Sequence, residues 1–177
     1  MDLENALIAD RSKAQIVRVI NYVGADAKRF AKLFTLFLGD NEILAQRSAW
    51  AASYCVKAHP ELINPYLKPL IKNLRRPDLQ IGVKRETVRL IQFIKIPKSF
   101  AGTLTNICFG FLQDAGEAIA VRVFSMTVLL KITKQNPGLK NELTAVLESL
   151  VPTGGPAIVS RGRKTLKELK KITSPRT

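Results

Sequence analysis

The sequence predicts an all-α fold of about four helical hairpins followed by a C-terminal capping helix, and three observations predict it. Arg11, Arg47, Arg85, Arg122 and Arg161 recur 36, 38, 37 and 39 residues apart, a period of about one helical hairpin. The apolar residues around each arginine fall at helical spacing, and no alternating apolar stretch bounded by hairpin turns occurs, so strands are not expected. The punctuation repeats as well. Pro60, Pro97 and Pro137 each follow the first helix of a pair, Asp40 and Asp78 lie seven residues before a repeat arginine, and Asp114 lies eight before Arg122.

Taken in order, Ile16, Val19, Ile20 and Val23 share one helical face, and Gly24 stops that helix before Asp26 caps a second one bearing Phe30, Leu33, Phe34 and Phe37. After the break at Gly39-Asp40-Asn41, a helix carries Leu44, Trp50, Ala51, Ala52, Cys55 and Val56 up to His59-Pro60. Its partner carries Leu62, Leu67, Leu70, Ile71 and Leu74, with Pro65 in the first turn and Pro69 bending the start. Arg76-Pro77-Asp78 opens the third pair, in which Asp78 is positioned to accept from the free amides of the next helix. That pair holds Val83, Val88, Leu90, Ile91 and Phe93, then Phe100, Leu104, Ile107, Cys108 and Phe111. The fourth holds Ile119, Val123, Phe124, Met126, Val128, Leu129 and Leu130, then Leu139, Leu143, Val146, Leu147 and Leu150 after Asn136-Pro137. A last helix follows Pro152-Thr153-Gly154-Gly155-Pro156. The expected organisation is a single domain over 1–177, with repeats near 1–39, 40–76, 77–114 and 115–152 and the capping helix at 156–172.

His59-Pro60-Glu61-Leu62 and Asn136-Pro137-Gly138-Leu139 read as turns within a repeat, and Val83-Lys84-Arg85 and Val121-Arg122 as the signature of a first helix. In these motifs, over about residues 11–172, the chain resembles the HEAT/ARM repeat superfamily. It departs from that pattern at Gly24, where a proline is usual, and in a fifth repeat with one helix. The resemblance implies a right-handed α-α superhelix, or solenoid, whose second helices line a concave surface. It also implies that each repeat arginine reaches an aspartate near an inter-repeat turn and ties one hairpin to the next, a structural role preferred here to direct ligand binding for Arg11, Arg47, Arg85, Arg122 and Arg161.

Composition narrows the function. Of 177 residues 46% are hydrophobic, enough for a core, and 28 Lys and Arg against 14 Asp and Glu give a formal charge of +14, which favours acidic partners. The charge is uneven: residues 66–99 hold nine basic and two acidic residues, and residues 161–177 seven and one. The N-terminus lacks a secretory pattern, no uncharged apolar run is long enough to span a membrane, and Cys55 and Cys108 sit among apolar neighbours as free thiols of a reducing compartment do. A cytoplasmic location is expected.

Chemistry has little to work with. His59 is the only histidine and precedes a proline, the two cysteines lack zinc-site spacing, and Gly154-Gly155 lacks the Lys-Ser/Thr of a phosphate loop. No catalytic residue, metal or cofactor is assigned. Asp114, near Phe109 and Phe111, resembles in general terms the acidic and aromatic arrangement of HEAT-like DNA glycosylases without matching it residue by residue, which leaves a base-excising enzyme as a remote third reading.

Two groups remain as partner-contact candidates. Lys68, Lys72 and Arg75 fall at i, i+4 and i+7, with Arg76 adjacent and Lys32 at the position of Lys68 one repeat earlier; the resemblance puts Lys32, Lys68 and Lys72 on the concave ridge. The stretch from Ser99 to Gln113 has no charge, and opposite its core stripe stand Asn106, Phe109 and Gln113. Either Phe109 faces a partner, or the helix is buried on most sides. The cations on the last helix, likewise, are read as a solvated cap, with a nucleic-acid or membrane-binding helix as the alternative. The reading adopted is a non-catalytic scaffold for an acidic protein or peptide. Nucleic acid is the runner-up, because Trp50 and the tyrosines read as packing residues instead of stacking platforms between cations.

Overall fold

The computed structural model describes residues 1–10 and 12–173. Ten α-helices are found among them and no strand: α1 Leu3–Ala9, α2 Lys13–Val23, α3 Ala27–Phe37, α4 Glu42–Ala58, α5 Leu67–Asn73, α6 Ile81–Ile91, α7 Lys98–Gln113, α8 Ile119–Gln135, α9 Lys140–Leu150 and α10 Pro156–Lys170. Short 3-10 helices at Pro60–Tyr66 and Pro137–Leu139 lead into α5 and α9. The chain divides into two compact units, Met1–Ile94 and the part from Lys95 onward.

Within the first unit α4 is the hub and packs on α1, α2, α3, α6 and the first 3-10 helix. Its sequence explains this. Ala45, Ala49, Ala51, Ala52 and Ser48 are buried around most of its circumference, so neighbours approach its backbone from several sides. The core they enclose includes Leu7, Ile16, Val19, Phe30, Leu33, Phe37, Val56, Ile63, Leu70, Val88 and Leu90. In the second unit α8 has the same position, packing on α7, α9 and α10 around Val121, Met126, Val128, Leu129 and Ile132. Buried hydroxyls in these helices return to the carbonyl four residues back, Thr87 to Val83, Ser125 to Val121 and Thr133 to Leu129, each at 2.8 Å, so no donor is stranded.

Several expectations are corrected in detail. The first hairpin is preceded by α1, which the sequence reading passed over: Asp2 accepts from the amides of Glu4 and Asn5, and Leu3 and Leu7 are buried one turn apart. Gly24 does end α2, with φ +50, a conformation that side chains disfavour. The second helix of the second pair is a 3-10 helix followed by the short α5. Pro65 lies within the 3-10 helix, and Pro69 falls in the first turn of α5, where its missing amide has no intrahelical role. Asp78 does not cap α6. The cap position is Gln80, whose side chain makes no capping bond, and Asp78 pairs instead with Arg76.

Candidate functional site

Arg47, Arg122 and Arg161 act between elements, but their acceptors differ from the aspartates the resemblance implied. Arg47 Nη1 donates to the carbonyl of Leu7 and, at 3.0 Å, to that of Ile8, at the end of α1; Arg122 Nε donates to the carbonyl of Leu112 at 3.1 Å, in the last turn of α7. Helix C-termini carry unsatisfied carbonyls and partial negative charge, so a guanidinium is as well matched there as against a carboxylate. Arg161 Nη1 donates to the Thr127 hydroxyl at 2.9 Å. Arg11 lies outside the described residues.

Arg85 leads to a cluster that sequence reasoning missed. Its Nε donates to Glu86 Oε1 at 3.1 Å, Arg89 Nη1 donates to Oε2 at 3.2 Å, and the Ser53 hydroxyl of α4 donates to Oε2 at 2.9 Å. Glu86 is only 3% exposed, and these three donors make its burial tolerable. The Arg89 guanidinium lies 4.5 Å from the centre of the Tyr54 ring. Hydrogen bonding to Arg89, helped by that cation's field and by the Trp50 indole, holds the Tyr54 phenol below the ordinary tyrosine range against the opposing effect of burial. The available signal was Glu86 itself, a lone carboxylate among cations and three residues from Arg89.

The aromatic residues are also more closely interleaved with cations than the sequence suggested. Arg29 lies 4.4 Å from the Tyr22 ring centre and Lys57 5.8 Å from that of Phe93, while Trp50 shares a cleft with Arg47 and Arg85. Tyr66, half-buried like Tyr22 and Tyr54, lies 5.9 and 4.5 Å from the ring centres of Phe30 and Phe34.

The basic ridge is narrower than expected. Lys68, Lys72 and Arg75 are exposed on α5 and the turn after it, and no ion pair among the described residues engages them. Arg76 is different: its Nη2 and Nε bond to the two oxygens of Asp78 at 2.8 and 3.3 Å, in a cleft that also contains Asp40 and Glu42. That pairing holds the Asp78 carboxyl below its usual range and Arg76 above its own. Lys32 is exposed on α3 but lines a separate cleft with Asp2, Glu4 and Tyr22, where two carboxylates offset its charge.

On α7, Asn106 and Gln113 are exposed, whereas Phe109 is 7% exposed and belongs to the core with Leu104, Thr105, Cys108 and Leu112. Of the two readings left open for Phe109, burial is the one observed, and its assignment as a partner contact is corrected. An uncharged helix has apolar residues on both sides and no polar stripe to fix its rotation, and the buried face is turned toward Thr105 and Phe109, leaving Phe100, Ile107 and Phe111 half-buried. Asp114 is exposed and accepts from the Gly116 amide at 2.8 Å.

In α10, Ile158, Gly162, Thr165 and Leu169 are buried against α8 and α9, and a side chain at Gly162 would begin 2.5 Å from Val151. Arg163, Lys164, Lys167, Lys170 and Lys171 face solvent. Lys134 and Lys171 pair with Glu168 at 3.3 and 2.5 Å and, with Lys171 foremost, lower its carboxyl pKa. Among the described residues no group of histidine, cysteine and carboxylate side chains is arranged to hold a metal, and no helix is long and apolar enough to cross a membrane.

Helix after helix, the alternation of hub and flanking elements is that of helical-repeat proteins, and the family comparison agrees: a HEAT repeat domain model matches residues 3–169. The chain belongs to the HEAT repeat family, all-α solenoids of helical hairpins that serve in general as protein-interaction scaffolds and are typically non-catalytic. No curated protein and no solved structure gave a significant match.

Proposed function

We propose that this HEAT repeat chain is a non-catalytic protein-binding module that offers the cations of α5 to an acidic protein surface. The observation that carries the reading is that Lys68, Lys72 and Arg75 stand exposed along α5 and its terminating turn without a carboxylate partner, whereas Arg29, Arg76, Lys134 and Lys171 have one. Exposed like charges in a row repel one another weakly in water and gain most when an anionic surface covers them. They contribute more to encounter rate and choice of partner than to raw affinity. Lys32 on α3, and Asn106 and Gln113 on α7, are additional contacts in this reading, the last two as hydrogen-bonding groups. Buried free thiols at Cys55 and Cys108 favour a reducing compartment such as the cytoplasm.

Retention on immobilised polyglutamate and on random-sequence duplex DNA, stepped in salt, tests this. The wild-type chain is expected to bind polyglutamate, and Lys68→Glu/Lys72→Glu/Arg75→Glu to elute at lower salt. Equal retention of the two proteins on polyglutamate would remove α5 from the site. On DNA, a log-log salt slope worth several neutralised phosphates that collapses in the triple variant would instead favour nucleic acid.

A further inference from the structure

Ile43, Ile81 and Ile119 follow one another at intervals of 38 residues, fall in the first turns of α4, α6 and α8, and are 54%, 61% and 58% exposed. Burying a branched aliphatic side chain contributes roughly 1.5–3 kcal/mol, so leaving one in water at the same place in three repeats forgoes stability each time. At α4 the isoleucine borders a cleft of about 320 Å³ lined by Ile43, Gln46, Arg47, Trp50 and Arg85, with no acidic residue in its lining. Both guanidiniums are anchored from behind, Arg47 by the carbonyls at the end of α1 and Arg85 through Nε by Glu86. Anchoring of this kind removes side-chain freedom before a ligand arrives, which lowers the entropic cost of binding.

We propose that this cleft docks an acidic peptide segment, with a carboxylate set between Arg47 and Arg85 and a neighbouring aliphatic side chain against Ile43 and the Trp50 indole. Arg47 is held by carbonyls and Arg85 shares the one carboxylate of Glu86 with Arg89, so cations outnumber anions here and call for a further negative group, and the planar guanidinium matches a carboxylate. The exposed isoleucine offers nothing to a phosphate backbone. The Tyr54 ring, which would otherwise stack a base, already has Arg89 against it, as Tyr22 has Arg29. The cleft shares the partner chemistry of the proposed function but not its surface, so the two stand or fall separately.

Trp50 is the only tryptophan in the chain, so its emission reports on this cleft. The full chain is titrated with a short synthetic polyglutamate peptide containing one central leucine, with the same peptide lacking leucine, and with a short oligothymidylate. A saturable change in emission is expected with the leucine peptide, and weaker binding without leucine. Arg85→Gln should weaken the leucine peptide about tenfold, and Ile43→Ser should abolish the preference for leucine; the latter site is exposed, so its fold is secure even if Arg85→Gln melts early. The α5 triple variant should titrate as wild type. The inference is overturned if emission does not respond to peptide, if Ile43→Ser keeps the leucine preference, if a folded Arg85→Gln binds normally, or if oligothymidylate binds more tightly than peptide.

Discussion

Glu86 shows at single-residue scale what a period cannot reveal. The carboxylate is buried between Ser53, Arg85 and Arg89, and its removal takes the shared acceptor from two guanidiniums; the Ser53 hydroxyl keeps the Trp50 carbonyl at 2.9 Å, and Arg85 and Arg89, 42% and 22% exposed, can recover part of the loss from water. Glu86→Ala is therefore expected to lower unfolding free energy by about 2 kcal/mol in urea titrations, and Ser53→Ala by about 1 kcal/mol; a neutral Glu86→Ala would mean the cluster does not hold α4 to α6. Arg85 was legible because it recurs, but adjacent residues on a helix ordinarily point apart, and the Ser53 contact spans 33 residues. Cys108 yields a pH prediction. Burial pushes its thiol up to about 12, against a smaller opposing effect from Ser125. A folded pKa above the unfolded one, near 8.5, favours the protonated thiol, so this contribution is complete below about pH 8.5 and is lost as pH rises toward about 12. Stability measured at pH 8 and pH 11 should fall further for wild type than for Cys108→Ala; parallel losses would contradict the assignment.

At the scale of elements, the limits of sequence reading follow from where polarity marks a face. α2 and α3 were legible because apolar residues recur at helical spacing among polar and charged ones, and α4 because its apolar run lies between Asn41 and His59-Pro60. α7 has no charge after Lys98 until Asp114, so its rotation was set by packing alone, and Phe109 turned inward. α1 was missed because a seven-residue helix shows one turn of periodicity, Leu3 to Leu7, and depends on its cap at Asp2 and on Arg47 at its end. α10 was legible as an amphipathic helix. Its Ile158 and Leu169 are buried, a contribution of roughly 3–6 kcal/mol together, so deleting residues 158–177 should lower the thermal midpoint by about 10 °C. An unchanged midpoint would make α10 a detachable basic arm.

For the whole molecule, a charge of +14 and membership of the HEAT repeat family point the same way, toward binding by display of a preformed surface. Charge sign was readable from composition. Which cations are available was not, because Arg76 is paired through a turn and Arg122 and Arg161 are engaged in holding helices to one another. The most direct test is affinity capture from a native lysate, with and without nuclease, using the wild-type chain and Lys68→Glu/Lys72→Glu/Arg75→Glu side by side. Captured proteins that withstand nuclease and disappear with the triple variant are the predicted result. Capture abolished by nuclease, or the same proteins on both baits, would contradict an acidic-protein scaffold acting through α5.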